Sequence, residues 1–242
     1  MSQQQSTNPP TIVLVHGAFA ESASWNDVTG VLLALGFPVI AAANPLRGVK
    51  SDAAYVASTL QSITGPIVLV GHSYGGVVIS NAATDNPNVK ALVFVAGFAP
   101  ESGESAADLS GRFPGGTLGP ALAPPVALPD GAQDLYIDQA KYRAQFCADV
   151  PEVQAKLMAA AQRPCTAGAL NEPAGAPAWK TIPSWFVFGS LDKNIPAAAH
   201  RFMAERAGAR ETVEVEGASH VVGITAAAQV AELIARAAKN VT

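Results

Sequence analysis

The chain has few charged residues, and its apolar runs are short. Charged residues make up 14% of the 242 positions, and 15 basic against 19 acidic residues leave a net charge of −4. The basic residues are scattered, which excludes the basic stripe that follows nucleic-acid phosphates. Apolar runs such as residues 91–99 are far shorter than the roughly 20 residues that cross a bilayer. We therefore expect no nucleic-acid partner and no membrane span.

Patterns that bind metals or nucleotides are also missing. The chain has four histidines and two cysteines, and neither Cys147 nor Cys165 has metal-ligand spacing to a histidine. The first strand pattern is not followed by the G-x-G-x-x-G of dinucleotide sites. We therefore expect no metal and no cofactor, and a small-molecule substrate as the partner, while the oligomeric state is left open.

The beginning of the chain has neither the basic nor the apolar segment of a secretory signal. Residues 1–10 are rich in Ser, Gln, Asn and Pro, so they are expected to form a flexible tail. This favours a cytoplasmic location, with secretion after loss of a signal segment as the alternative.

What the chain does have is a regular alternation of strands and helices. Apolar residues make up 49% of the positions, enough for a large core. Short β-branched runs alternate with helical patterns, which is typical of βαβ units around a parallel sheet covered on both faces. The sequence predicts an α/β domain with about six parallel strands flanked by helices, the strands being residues 11–15, 38–42, 67–70, 91–95, 184–188 and 212–215.

The alternation is interrupted after the fourth strand. We interpret residues 99–182 as a cap inserted into a core made of residues 11–98 and 183–239, because long interruptions of this kind are usually functional. Helical segments are predicted within the cap at about residues 134–147 and 151–162.

Both cysteines fall in the predicted cap. Cys147 ends the first helical segment and Cys165 follows the second, beyond a Pro164 turn that could reverse the chain. A Cys147–Cys165 disulfide and two free buried thiols are equally compatible with this spacing.

The strongest pattern is Gly71-His72-Ser73-Tyr74-Gly75, which directly follows the third predicted strand and opens a helix. This is the G-x-S-x-G nucleophile elbow in its strand-turn-helix context. The turn is tight, and it pushes the Ser73 hydroxyl out above the sheet. Ser73 is therefore the candidate nucleophile.

A serine hydroxyl needs a base and a group that orients the base. His220 lies in a loop after the last strand, at the carboxyl edge of the sheet, and is the candidate base. Three histidines are set aside: His16 and His72 belong to backbone motifs at strand ends, and His200 lies in a helical segment where we expect it to face solvent.

The candidate acid lies in the chain between the nucleophile and the base, which is the order that accompanies a G-x-S-x-G elbow. Asp192 follows the fifth strand in a loop closed by Ile195-Pro196, and it is preferred over Glu101, which follows the fourth strand.

Acyl transfer also requires donors for the developing oxyanion. The backbone N–H of Tyr74 is one candidate, and that of Ala18 in the loop after the first strand is the other. Gly17 is expected to let this loop turn, and Phe19 is expected to line the acyl or alcohol pocket.

Together these motifs resemble the α/β-hydrolase superfamily over residues 11–98 and 183–239. Within it the chain is similar to small bacterial esterases related to the plant methylesterase and hydroxynitrile lyase branch. The resemblance implies hydrolysis of carboxylic esters through an acyl-enzyme on Ser73.

Other chemistries of the superfamily are alternatives. Hydroxynitrile lyases of this branch typically carry Thr at the position of Gly17 and Lys at that of Val221, so both residues favour hydrolysis here. C–C hydrolases, perhydrolases and amidases use the same triad, and a non-catalytic receptor for small ligands is the alternative from another class.

Overall fold

The computed structural model describes residues 9–240, so most of the predicted N-terminal tail lies outside the described residues. The first part of the chain alternates strand and helix: β1 (Thr11–Val15), a 3₁₀ turn (Ser22–Trp25), α1 (Asn26–Ala34), β2 (Val39–Ala42), α2 (Val49–Gln61), β3 (Ile67–His72), α3 (Tyr74–Ala82) and β4 (Val89–Val95).

The middle of the chain breaks this alternation, with short elements: α4 (Ala106–Arg112), α5 (Leu118–Ala121), β5 (Val126–Ala127), β6 (Gln133–Leu135), α6 (Gln139–Phe146), α7 (Glu152–Ala161), β7 (Cys165–Thr166), α8 (Ala167–Asn171) and a 3₁₀ turn (Ala178–Lys180). The last part returns to the strand-helix pattern: β8 (Ser184–Gly189), α9 (Ala197–Arg206), β9 (Glu211–Val215), α10 (Val222–Thr225) and α11 (Ala227–Lys239).

The core of the molecule is a parallel sheet of six strands in the order β2-β1-β3-β4-β8-β9. This confirms the predicted fold class, and each predicted strand agrees with an observed one to within two residues at either end. The strand order reverses between β1 and β3, and ligands of open α/β sheets bind in the crevice at such a switch point. The loops after β1 and β3 therefore meet at the edge where a site is expected.

Helices cover both faces of this sheet, which is why its central strands are mainly apolar. Successive residues of β1 alternate between the two faces: Val13 and Val15 pack with α2 and α3, whereas Ile12 and Leu14 pack with α1 and α11. The buried face of α11 includes Leu233, and burying such a side chain contributes about 1.5–3 kcal/mol.

Residues 99–182, called the cap segment below, contain structure that the sequence analysis missed. A small antiparallel sheet has the order β5-β6-β7, with strands of two or three residues that are too short for a periodic pattern. Because β6 occupies residues 133–135, the first predicted helix begins only at Gln139, where the Asp138 side chain accepts the Ala140 N–H.

Polar contacts join the cap segment to the beginning of α2 and to the loop that precedes it. Arg47 forms an ion pair of 2.6 Å with Asp134 in β6. The Glu172 carboxylate accepts the N–H groups of Val49 and Lys50, at 2.6 and 3.2 Å, at the beginning of α2. A carboxylate is stabilised there by the unsatisfied N–H groups and the helix dipole.

The two cysteines are free thiols in the structure, so the disulfide alternative is wrong. Cys147 ends α6 and Cys165 pairs with Leu135 in the small sheet, and both are buried. Burial raises the pKa of Cys147 to about 12 and also raises that of Cys165 above its usual range. Both thiols are therefore protonated and unreactive near neutral pH.

Within residues 9–240, no helix is long and apolar enough to cross a bilayer. The same part of the chain contains no group of three or more His, Cys, Asp or Glu side chains placed to hold a metal ion.

Candidate active site

The predicted nucleophile Ser73 lies between β3 and α3 in a strained conformation, with φ 54° and ψ −125°. Such a conformation costs on the order of 1–3 kcal/mol and persists only where its surroundings enforce it. The Ser73 N–H donates to the Ala96 carbonyl at 3.1 Å, and the Ser73 carbonyl accepts the N–H groups of Gly76 and Phe98 at 2.9 and 3.1 Å. These bonds tie the turn to the end of β4 and to its own helix.

The glycines around Ser73 are required by close backbone approach. A Cβ on Gly75 would lie 2.5 Å from the Val15 carbonyl oxygen, and one on Gly17 would lie 2.6 Å from Ser73 Cβ. Gly17 is needed for this close approach, and not for a left-handed turn as its expected role would require. Its φ is not positive, and the left-handed residue of this loop is Phe19, with φ 60°.

The predicted base and acid are in direct contact. His220 Nδ1 lies 2.7 Å from Asp192 Oδ2, and Asp192 Oδ1 accepts the N–H groups of Asn194 and Ile195 at 2.8 and 2.9 Å. Burial alone would raise the pKa of Asp192, but the charge of His220 and hydrogen bonds from two imidazoles hold it well below its usual range. Asp192 is therefore a buried carboxylate.

The structure places Ser73 and His220 on one cavity, but without a hydrogen bond between them. His220 Nε2 is buried and has no hydrogen-bond partner in the described part of the chain. The rival acid Glu101 is elsewhere: its carboxylate pairs with Lys180 Nζ at 2.7 Å, and that bond lowers its pKa.

His16 and His72 act on the backbone, as predicted. His16 Nδ1 donates to the Gly17 carbonyl at 2.9 Å, while Nε2 accepts the Asn44 N–H at 3.1 Å. His72 Nε2 donates to the His220 carbonyl at 3.1 Å. Burial lowers the pKa of His16 to about 4 and that of His72 to about 3, so both are neutral supports for the loops after β1 and β9.

The expectation that His200 faces solvent is wrong. Its side chain is buried, Nε2 lies 3.2 Å from Asp192 Oδ2, and the ring stacks on Phe188 with centroids 4.7 Å apart. The buried face of α9 also holds Ala199, Met203 and Ala204, a helical repeat that could have placed His200 inward from the sequence.

The two predicted oxyanion donors border the same cavity as Ser73. Tyr74 is the first residue of α3, where a backbone N–H has no acceptor within the helix. The Ala18 N–H has no acceptor in the protein across residues 9–240. The Tyr74 side chain points away and donates its hydroxyl to the buried carboxylate of Asp52 at 2.9 Å.

The cavity above Ser73 has a volume of about 330 Å³ and an apolar lining. Phe19 lines it, as predicted, together with Phe146 from the cap segment. Among the described residues that line it there is no Asp, Glu, Lys or Arg.

A second cavity of about 380 Å³ lies behind Phe19 and Phe146. These two rings line both cavities and meet edge to face at 6.4 Å, so they form the partition. The second cavity is bordered by His72 and Val221, neighbours in sequence of Ser73 and His220, and by Leu157 of α7.

The cap segment also contacts the loops that carry the predicted acid and the predicted base. Gln145 Nε2 donates to the Lys193 carbonyl at 3.0 Å and to Asn194 Oδ1 at 2.8 Å. Asp149 accepts the Ser219 N–H at 3.1 Å. The sequence analysis missed Gln145 and Asp149, because no local pattern connects them to loops about 50 and 70 residues away.

Comparison with known proteins gives a consistent family. A model described as the alpha/beta hydrolase family matches residues 12–233. Polyneuridine aldehyde esterase has a TM-score of 0.81 at 17% identity and covers 94% of this chain and 98% of its own. A methylesterase from Arabidopsis has a TM-score of 0.76 at 17% identity and covers 96% of this chain and 99% of its own.

A sequence relative is more similar over a shorter region. The carbendazim hydrolyzing esterase of Nocardioides sp. (strain SG-4G) is 31% identical over an alignment of 106 residues, and the match covers 38% of this chain and 44% of the relative. The match therefore spans less than half of that relative's length. The likeness to the two solved structures shows a shared fold.

Proposed function

The chain belongs to the alpha/beta hydrolase family, and from this premise we propose that it is a carboxylesterase-type serine hydrolase with Ser73, His220 and Asp192 as its catalytic triad. One observation carries the proposal. A strained serine shares a cavity with an imidazole whose Nδ1 is bonded to a buried carboxylate and whose Nε2 is unpartnered within the described chain. This is the arrangement of a nucleophile and its oriented base.

In the first half-reaction, Ser73 Oγ attacks the ester carbonyl carbon while His220 Nε2 takes the hydroxyl proton. The negative charge moves to the carbonyl oxygen, where the N–H groups of Ala18 and Tyr74 are available as donors. Asp192 stabilises the imidazolium across the 2.7 Å contact. The C–O bond of the ester then breaks, and His220 returns its proton to the departing alkoxide.

In the second half-reaction, water attacks the acyl group on Ser73. His220 takes a proton from the water, and the tetrahedral intermediate collapses with release of the acid and return of the proton to Ser73. The absence of a hydrogen bond between Ser73 and His220 is consistent with these two reaction steps, because catalytic hydrogen bonds of free enzymes are often long and tighten in the substrate complex.

The cavity favours uncharged, apolar esters. A carboxylate or ammonium on the substrate would lose its hydration without meeting an opposite charge, since the described lining has no charged side chain. Similar proteins are described as esterases, including polyneuridine aldehyde esterase and a carbendazim hydrolyzing esterase, which also supports ester hydrolysis.

The test compares two serine substitutions on p-nitrophenyl acetate. Ser73→Ala is expected to lower kcat by at least about 10³-fold, because triad members act as a unit. Ser80→Ala is the matched control, since Ser80 lies in α3 and its buried hydroxyl has no partner among residues 9–240. A fluorophosphonate is expected to label Ser73, with fluoride as the leaving group. Near-normal turnover by Ser73→Ala would refute the proposal.

A further inference from the structure

Two imidazoles contact one oxygen of the acid. His220 Nδ1 lies 2.7 Å from Asp192 Oδ2 and His200 Nε2 lies 3.2 Å from the same atom. The two histidines come from separate elements, the loop after β9 and helix α9. All three side chains have at most 1% of their surface exposed. The acid therefore has a second buried partner that the proposed triad does not use.

The protons at this site can be assigned from the hydrogen bonds. An ionised carboxylate only accepts, so His200 donates through Nε2–H while His220 donates through Nδ1–H. The other nitrogen of His200, Nδ1, is buried without a partner in the described structure. Burial lowers the pKa of His200 even though Asp192 and Glu214 oppose that shift. His200 is therefore a neutral donor, and it contributes a directed bond without a charge.

Packing alone does not account for a histidine at this position. An apolar side chain would fill the space beside Phe188 without burying an unpartnered nitrogen, which costs about 1–3 kcal/mol. The bond to Asp192 Oδ2 gives the imidazole a use that an apolar residue lacks. With the Asn194 and Ile195 N–H groups on Oδ1, it completes a set of four hydrogen bonds that define the plane of the carboxylate.

We propose that His200 is a positioning residue, which holds Asp192 Oδ2 toward His220 and shares the charge of that oxygen. The role rests on the proposed function, because it acts through the proposed triad. If His200 is removed, Asp192 keeps its bond to His220, but three hydrogen bonds instead of four fix the plane of the carboxylate, so His220 is aligned less precisely and kcat falls. The remaining charge of Oδ2 then acts on His220 alone, which favours the protonated imidazole and moves the acidic limb of kcat/KM to higher pH.

Other groups near this pair do not obscure the effect. The His72 ring lies 4.8 Å from that of His220, and both His72 and His16 are kept neutral by burial. Glu214 on β9 is bonded to Arg201 through both carboxylate oxygens, at 2.8 and 2.5 Å. Asp149, whose carboxylate accepts the Ser219 N–H beside His220, is the same in every variant compared.

The experiment replaces His200 by Gln, by Met and by Asn. Gln places an amide nitrogen about where imidazole Nε2 lies, so His200→Gln retains the donor. Met has a similar reach and no donor. Asn carries the same amide as Gln but is one methylene too short to reach Oδ2. Each variant is compared with wild type by kcat and by the pH profile of kcat/KM on p-nitrophenyl acetate, and by the urea midpoint.

For His200→Met and His200→Asn we expect kcat to fall by about tenfold or more, the loss of one hydrogen bond to a charged group. We expect their acidic limb to move up by about 0.5 pH unit or more. His200→Gln is expected to rescue both quantities to within about threefold and about 0.2 pH unit of wild type, because the donor is restored.

Equal pH profiles and equal kcat for the Gln and Asn variants would overturn the positioning role. If His200→Met does not fold, the Gln and Asn pair still decides, because these variants differ by one methylene. Failure of the proposed function has a different signature, since it would appear as turnover that survives Ser73→Ala in the wild-type background.

Discussion

Replacing Gly17 by alanine is expected to damage activity far more than stability. The new Cβ would lie 2.6 Å from Ser73 Cβ and 2.7 Å from the His72 carbonyl oxygen, whereas carbon atoms in contact are about 3.5–4.0 Å apart. Neither neighbour is the far end of a flexible side chain. The loop after β1 and the Ser73 turn must therefore separate by about 1 Å.

This separation sets the size of the expected effect. A displacement of about 1 Å at reacting groups can cost about 100-fold in rate. Moving the adjacent Ala18 N–H out of reach would cost about 10²–10³-fold in kcat, as measured for the loss of one oxyanion donor in other enzymes. Overpacking of a close contact costs about 1–3 kcal/mol of stability. We therefore expect kcat to fall by about 100-fold or more in a protein that still folds.

The assay measures kcat on p-nitrophenyl acetate and the free energy of unfolding in urea, with Gly30→Ala as the matched control. Gly30 is exposed in α1 and an added Cβ meets nothing within 4 Å, so this variant should keep its activity and gain about 0.5–1 kcal/mol of stability. A Gly17→Ala variant with wild-type kcat would show that the proposed oxyanion loop does not act on Ser73.

Three further outcomes are expected. Asp192→Asn should lower kcat by about 10³–10⁴-fold, whereas Glu101→Gln, which only breaks a surface pair with Lys180, should not, and the reverse result would move the acid to the earlier loop. Phe146→Ala should open the partition between the two cavities and raise the ratio of kcat/KM for p-nitrophenyl octanoate to that for the acetate. An unchanged ratio would show that the second cavity takes no part in substrate binding. Thiol titration with a disulfide reagent should give two free thiols per chain in denaturant without reductant. In the folded protein the reaction should be slow, because both thiols are buried and their pKa values are raised. A count below two in denaturant would restore the disulfide.

Much of this molecule could be predicted from the sequence, because the patterns involved are local. The four central strands, β1, β3, β4 and β8, are short, mainly apolar runs that are largely buried on both faces, and such runs are visible in any stretch of sequence. The Ser73 turn is recognisable because Gly71, Gly75 and Gly76 lie within three residues of the serine, although the backbone that approaches Gly75 belongs to β1 and the loop after it.

The candidates Asp192 and His220 could be named because parallel strands end at one edge of a sheet. The sequence placed each after a strand, and the strand order brings the loops after β8 and β9 side by side. The 2.7 Å contact between them is a consequence of that register.

Other features depend on contacts between distant parts of the chain, and only the tertiary structure decided them. His200 turns inward because α9 packs on β8, so that a side chain expected in solvent reaches Asp192 Oδ2. The two cysteines stay apart as free thiols because β7 pairs with β6, which holds Cys165 in the small sheet. The division of the space above Ser73 also needs the fold, because Phe19 and Phe146 come from opposite sides of the cleft, 127 positions apart by their numbers, and a partition forms only where the cap segment places one ring against the other.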